Sequence, residues 1–278
     1  MQMRALFLAL GLAAAALPAA ACDMDLRDRG QAVADYVEAV RPCLSHWPAG
    51  YAPDAAMEAD FLRRVNAERT SRGLKPLRNR PELLDAARFQ SLDMAYNGFF
   101  GHEGPDGRHP VDRVAAFDRS ALIEYSAENV AMVEAIRGRW NLERDAVNRL
   151  HSNLMNSPGH RANILNPDIT DVAMGVVRTE KGVWITQVFL ELTGSLPAPL
   201  PVRMQPGERL DMKPHLTGWT FQQFDAKLPG DRYTALDGAI PQGLTGDIEL
   251  TAKGKMRGET PGSFYIIRLP GPAVTVGG

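Results

Sequence analysis

A short segment at residues 154–165, LMNSPGHRANIL, constrains the fold more than any other stretch of this 278-residue chain. Ser157 is a favourable helix N-cap, and Pro158 suits the first helical position, where its missing N–H would have had no partner. Three later residues supply apolar surface behind the helix: Ala162, Ile164 and Leu165. The segment therefore predicts a short helix that holds the imidazole of His160 at the edge of a core.

The order of the periodic patterns indicates an α+β fold. Four segments with helical spacing come first: residues 57–72, 81–97, 110–117 and 141–155. Two runs rich in Val and Ile follow at residues 172–178 and 183–192, and the turn around Lys181 and Gly182 predicts an antiparallel hairpin. The segment around Glu128 shows neither pattern. Helices that precede strands within one core favour an α+β sandwich.

The N-terminus is typical of a secretory signal peptide. Arg4 supplies positive charge, residues 5–17 form an apolar run, and three alanines end at Ala21, just before Cys22. We therefore expect cleavage after Ala21 and a secreted or periplasmic protein. The apolar run is too short to remain as a membrane anchor, and no later segment predicts a transmembrane helix in the mature chain.

The two cysteines, Cys22 and Cys43, both remain after that cleavage. An even number of cysteines in an exported protein is typical of a disulfide. The alternative is that Cys22 becomes a lipidated N-terminus while Cys43 stays free. Ala19 stands where a lipidated protein usually has a large aliphatic residue, so the lipid anchor is the less favoured of the two.

Changes in composition divide the chain into five parts. They are a signal peptide (residues 1–21), an N-terminal extension (22–54), an α+β domain (55–194), a Pro-rich linker (195–201) and a small β-rich domain (202–278). The extension contains a helix at residues 25–40, which Pro42 ends. Short apolar runs separated by Gly and Pro predict a β-sandwich for the last part. A net charge of −2 gives no reason to expect nucleic acid as a partner.

Seven blocks of sequence carry a resemblance to a known family: VNAERTSRGLKPL, PELLDAARFQSLDMA, GFFGHEGPDGRHPVDRV, SAENVA, NLMNSPGHRANILNP, VAMGVV and WITQVFL. They occur in the order and at about the spacing of the CAP superfamily, also called SCP-like domains, in its bacterial secreted form. The part of the chain that resembles the family covers about residues 55–192. The resemblance implies an α-β-α sandwich with a central antiparallel sheet.

The resemblance also implies a cleft built from His102, Glu128 and His160. Animal members of the family have a second glutamate where this chain has Ser157, so that fourth residue is missing. Two imidazoles and a carboxylate are ligand types that hold Zn²⁺, with Mg²⁺ or Ca²⁺ as alternatives, and they leave a position for water or substrate. The alternative without a metal is a polar cluster in which Glu128 accepts hydrogen bonds from both imidazoles.

Nucleophilic catalysis has little support in the sequence. Ser126 precedes Glu128 by two residues and would share its face on a strand, but no nucleophile elbow or oxyanion motif accompanies it. A binding protein is therefore favoured over an enzyme, and its cleft would take a divalent metal, a lipid or a peptide. The C-terminal domain would then contact a protein or envelope partner. The alternatives are a metal-assisted extracellular hydrolase similar to a peptidase, and a non-catalytic structural protein of the cell envelope.

Overall fold

The computed structural model describes residues 22, 24–134, 142–228 and 230–277, without the side chains of residues 142–145. The predicted signal peptide lies outside the described residues. Within them, no helix has both the length and the apolar character that crossing a membrane requires. The helices are α1 (Val33–Ser45), α2 (Ala55–Thr70), α3 (Leu84–Asn97), α4 (Pro110–Phe117), α5 (Leu142–Asn156) and α6 (Pro158–Leu165).

The described strands form two sheets. The first contains β1 (Ala52–Pro53), β2 (Arg78–Asn79), β3 (Ala121–Glu134), β4 (Asp171–Arg178), β5 (Gly182–Ser195) and β7 (His215–Leu216). The second contains β6 (Arg203–Met204), β8 (Thr220–Leu228), β9 (Arg232–Ala235), β10 (Gly246–Arg257) and β11 (Phe264–Val276). The spatial order is β1-β4-β5-β3 along the first sheet and β6-β11-β10-β8-β9 along the second.

Helices cover both faces of the first sheet, as the alternation of side chains along β4 shows. Val172 and Val176 pack in one core with α2, α5 and α6. Val177, on the opposite face, packs against α3. Gly175 also faces α3, and a Cβ there would lie 2.2 Å from the carbonyl carbon of Ala87, so only glycine allows the helix to approach this closely. The predicted α-β-α sandwich and the antiparallel β4–β5 hairpin are confirmed.

Glu128 lies in β3, although its segment showed no strand pattern. β3 pairs with β5 along its whole length, but its register shifts between Leu122 and Tyr125. After that point the pairing is regular, but four consecutive residues from Glu128 to Ala131 are buried, so both faces of the strand are covered and no period of two is visible in this segment.

The prediction for the first helix was wrong in its bounds. α1 begins at Val33, and it continues through Pro42 to Ser45. Pro42 removes one helical hydrogen bond, but Val40 and Cys43 on either side of it are fully buried. Cys43 is also bonded to Cys22, which confirms the predicted disulfide and fixes the last turn of the helix. The sulfur of Cys22 is thus bonded to Cys43, as the disulfide hypothesis requires.

The C-terminal region is all-β, as predicted. Apart from β7, which pairs with β5 of the first sheet, its strands form one sheet that packs on its own apolar core. Leu196 and Leu200, from the Pro-rich segment before β6, are part of that core. The N-terminus of α1 also reaches this sheet, since Asp247 and Thr275 accept hydrogen bonds from the backbone N–H groups at the start of the helix.

Arg119 makes polar contacts between the two parts of the chain. Its buried guanidinium donates hydrogen bonds to the carbonyl oxygens of Leu200 (2.9 Å), Pro201 (2.9 Å) and Ala273 (2.7 Å). Burial lowers the pKa of Arg119 to about 10, so the group remains charged at neutral pH. One side chain therefore satisfies carbonyl groups of the Pro-rich segment and of β11 together.

We predict that Arg119→Met lowers the free energy of unfolding by about 3 kcal/mol, because the buried carbonyl groups lose their donor. Urea denaturation followed by circular dichroism measures the change. Arg63→Met, at an exposed ion pair on α2, is the matched control and should change the free energy by about 1 kcal/mol or less. Equal effects of the two substitutions would contradict the role given to Arg119.

Candidate functional site

The loop that carries His102 is held against α3. Gly98 ends α3 in the left-handed conformation (φ 68°), as its position in the sequence predicts. Gln90, a buried residue of α3, then donates a hydrogen bond to the carbonyl oxygen of Gly101 at 2.7 Å. Within the loop, Gly104 donates to the carbonyl oxygen of Arg108 at 3.0 Å. His102 therefore extends from a loop whose backbone is fixed on both sides.

Glu128 is the buried centre of the site, with a side chain that is only 1% exposed. Its Oε1 lies 2.8 Å from Nδ1 of His102, and its Oε2 accepts a hydrogen bond of 2.8 Å from Nη2 of Arg113. A carboxylate this deeply buried needs a cationic or hydrogen-bonded partner at each oxygen. Both oxygens have one here.

Arg113 is the site residue that sequence reasoning missed. It lies on α4 and is itself buried, and it donates further hydrogen bonds to the carbonyl oxygens of His102 (2.9 Å) and Arg108 (3.0 Å). The available signal was its position directly before Val114, on the apolar face of a short helix. A charged residue at such a position requires a buried partner.

His160 lies in the first turn of α6, as predicted. Ser157 occupies the N-cap position and Pro158 the first helical position, but the Ser157 side chain makes no capping hydrogen bond. The prediction of a cap was therefore wrong for the Ser157 side chain. Asparagine side chains hold α6 in place instead. Asn163 donates to Oδ1 of Asn129 (2.8 Å), and Asn129 donates to the carbonyl oxygen of His160 (3.1 Å). These two asparagines therefore connect α6 to β3.

His102 lies close enough to His160 to affect the charge state of its imidazole. Burial lowers the pKa of His160 below its usual value, and electrostatic repulsion from the imidazole of His102, when that ring is protonated, lowers it further. His102 is the more accessible of the pair, since 48% of its side chain is exposed. The lowered pKa keeps His160 neutral at neutral pH, the form in which an imidazole nitrogen can bind a metal.

A surface depression runs from His102 along the start of α4 and the middle of β3. Its lining includes Pro110 and Val111 of α4, together with Ser126 and Glu128, which share a face of β3 as the alternation predicts. Val111 is among the exposed large apolar side chains of the protein. The depression therefore combines an imidazole with apolar surface.

Of the three residues predicted to bind a metal ion, Glu128 already uses both carboxylate oxygens in other contacts. Both oxygens of Glu128 are engaged by His102 and Arg113, and no group of three or more His, Cys, Asp or Glu residues in the described part of the chain is placed to hold a metal ion. When Nδ1 of His102 donates to Glu128, its Nε2 presents a lone pair. The candidate donors that remain for a metal are therefore the two imidazoles, with Glu128 behind one of them.

A second buried carboxylate, Asp93 of α3, supports the loop of His102. Burial raises the pKa of Asp93 to about 6, and the neighbouring charge of Asp106 contributes to the increase. Asn97 donates a hydrogen bond of 2.6 Å to Oδ1 of Asp93. A Cβ on Gly104 would lie 3.6 Å from Oδ2 of Asp93 and 2.7 Å from Oδ1 of Asp106, so the loop packs directly on both acids.

Comparisons with known proteins show which family this part of the chain is similar to. Residues 62–189 match the sequence model of the CAP family, described as the cysteine-rich secretory protein family. The uncharacterized protein YkwD of Bacillus subtilis (strain 168) is 35% identical over 140 residues, which are 49% of this chain and 48% of that protein. The chain thus spans about half the length of this relative.

Two solved structures are similar to about half of the chain. An outer surface protein from Borrelia burgdorferi has a TM-score of 0.41 at 15% identity, and the match covers 51% of this chain and 98% of that one. An extracellular protein containing an SCP domain from Bacillus anthracis str. Ames has a TM-score of 0.40 at 26% identity, with coverages of 49% and 40%.

We predict that Asp93→Asn stabilises the protein more at about pH 8 than at about pH 4.5. Because the folded-state pKa is raised, the contribution of Asp93 to stability is present at low pH and is lost as the pH rises through about 6. Asparagine removes the cost of ionisation and retains an oxygen for Asn97. The expected difference between the two pH values is on the order of 2 kcal/mol.

Urea denaturation at the two pH values measures this difference. Asp85→Asn, at an exposed position of the same helix, is the control. If Asp85→Asn showed the same dependence on pH, the effect would not come from the buried carboxylate.

Proposed function

We propose that this chain, whose residues 62–189 match the CAP family model, is an exported binding protein whose cleft takes a divalent metal ion through His102 and His160. The observation that carries the proposal is the hydrogen bond between Nδ1 of His102 and the buried carboxylate of Glu128. Histidines that bind metals usually donate their second ring N–H to a carboxylate, which fixes the tautomer and directs the other nitrogen at the metal.

Glu128 acts in this proposal through His102. Its second oxygen is occupied by Arg113, so the carboxylate holds the ring of His102 and keeps Nε2 available. His160 supplies a second neutral imidazole, because its lowered pKa disfavours protonation. A bound metal ion would supply a Lewis acid, and a carbonyl or carboxylate group of a ligand would complete its coordination.

The ligand that we propose beside the metal is a lipid or a peptide. Val111 offers exposed apolar surface in the depression next to His102, and Ser126 offers a hydroxyl group. Apolar lining with a few convergent polar groups is the usual character of sites for small organic ligands. Export of the protein is supported by the signal-like N-terminus, the Cys22–Cys43 disulfide and the secretory description of the family.

Calorimetric titration with Zn²⁺ tests the proposal. We expect the intact protein to bind zinc and the double variant His102→Ala/His160→Ala to lose binding. Glu128→Gln should weaken binding by about 10- to 100-fold, because the support behind His102 is lost. His215→Ala, which removes an exposed histidine of the second part of the chain, should leave binding unchanged.

Circular dichroism of each variant separates loss of binding from loss of folding. This matters most for Glu128→Gln, which leaves the buried guanidinium of Arg113 without its charged partner. Failure of the intact protein to bind zinc, or equal binding by the double variant, would overturn the metal proposal. Turnover of a peptide or ester substrate that depends on both histidines would instead identify a hydrolase.

A further inference from the structure

The far end of the β10–β11 hairpin projects beyond the rest of its sheet. β8 pairs with β10 only as far as Lys255, which lies opposite Thr220. The pairing of β10 with β11 continues to Arg257 and Phe264. Among the described strands, β6 pairs with β11 only at Thr275 and Val276, at the opposite end. We call residues 255–266 the hairpin end.

A well-formed turn closes the hairpin end. Ser263 donates a backbone hydrogen bond to the carbonyl oxygen of Thr260 at 3.0 Å, across Pro261 and Gly262. Gly262 has a φ of +83°, which a type II turn requires at this position, and proline suits the position before it. Gly258 then donates to the carbonyl oxygen of Ser263 at 2.9 Å. The hairpin end is therefore an ordered projection of the sheet.

Large apolar side chains are exposed on both faces of the hairpin end. Phe264 and Ile266 share one face of β11. These two residues are 54% and 42% exposed. Tyr265, 49% exposed, lies on the other face opposite Met256, which is 38% exposed. A flat protein partner would cover one of these faces, whereas a surrounding apolar medium would cover both.

Basic residues accompany the apolar side chains. Lys253, Lys255 and Arg257 alternate along β10 and share a face, and Lys255 and Arg257 lie opposite Ile266 and Phe264 of β11. The ammonium group of Lys255 lies 4.1 Å from the centre of the Phe264 ring. Asp225, an acid on the same face of the sheet, is already paired with Arg268 at 3.1 Å.

The turn itself contains one acid, Glu259, so positive charge remains in excess at the hairpin end. The whole chain has a formal net charge of −2, and attraction to an anionic surface must therefore come from this local excess. Aromatic and aliphatic side chains with flanking lysines and arginines are the pattern that binds the interface of an anionic bilayer.

We propose that the hairpin end inserts into the headgroup region of an anionic lipid bilayer. The apolar side chains of both faces enter the boundary between headgroups and acyl chains. Lys253, Lys255 and Arg257 stay at the level of the lipid phosphates, with their aliphatic stems against the apolar surface. The contact is separate from the His102 cleft and adds a membrane-facing surface to the proposed binding protein.

Co-sedimentation of the full chain with vesicles tests this proposal. We expect binding to phosphatidylcholine vesicles that contain phosphatidylglycerol, weaker binding to phosphatidylcholine alone, and loss of binding as salt is added. Lys253→Gln/Lys255→Gln/Arg257→Gln should reduce partitioning on the order of 100-fold. Lys75→Gln/Lys181→Gln/Lys213→Gln removes the same charge from positions elsewhere on the surface and should have little effect.

The apolar contribution is tested by Phe264→Ser/Ile266→Ser, which should reduce partitioning by about 10-fold or more while leaving zinc binding unchanged. Absence of binding to phosphatidylglycerol vesicles by the intact protein would overturn the proposal, as would equal loss in the two charge variants. Sedimentation equilibrium tests the alternative that a second copy of the chain binds at the hairpin end. A dimer that Phe264→Ser/Ile266→Ser abolishes, without vesicle binding, would show that a second copy covers the hairpin end instead.

Discussion

The buried carboxylate of Glu128 is the group on which the arrangement of the cleft depends. A charge removed from water must be paired, and the two partners here come from different segments: Arg113 from α4 and His102 from the preceding loop. Arg113 also binds the backbone of that loop through the carbonyl oxygen of His102. The strand, the helix and the loop are therefore fixed relative to one another by one set of charge-assisted hydrogen bonds.

A second buried charge fixes the position of the C-terminal sheet. Arg119 follows α4 by two residues, and carbonyl groups of the Pro-rich segment and of β11 accept its hydrogen bonds. The cleft thus depends on an arginine within α4, and the contact with the C-terminal sheet depends on an arginine just after it. Since both side chains extend from residues 110–119, this short segment positions the site and the second part of the chain together.

Local sequence patterns predicted the helices and strands, but contacts between residues that are far apart in the sequence determine the structure of the site. Helical spacing gave α2 to α5, and the Val- and Ile-rich runs gave the β4–β5 hairpin. The resemblance to the CAP superfamily supplied His102, Glu128 and His160 as a group. Arg113 could not be assigned in this way, because its partner lies 15 residues away on another element and periodicity reports only neighbours along the chain. The path of α1 through Pro42 likewise depends on burial and on the bond to Cys22.

The local charge of the cleft bears on which metal the proposed site would prefer. Arg113 neutralises the carboxylate of Glu128, so this acid offers little net attraction to a hard cation. The remaining donors in the proposal are imidazole nitrogens, whereas Mg²⁺ and Ca²⁺ take oxygen ligands. Imidazole suits zinc and neighbouring transition metals. Among the metals that the sequence left open, these donors would therefore favour zinc, and water or the ligand would supply the other positions of its coordination.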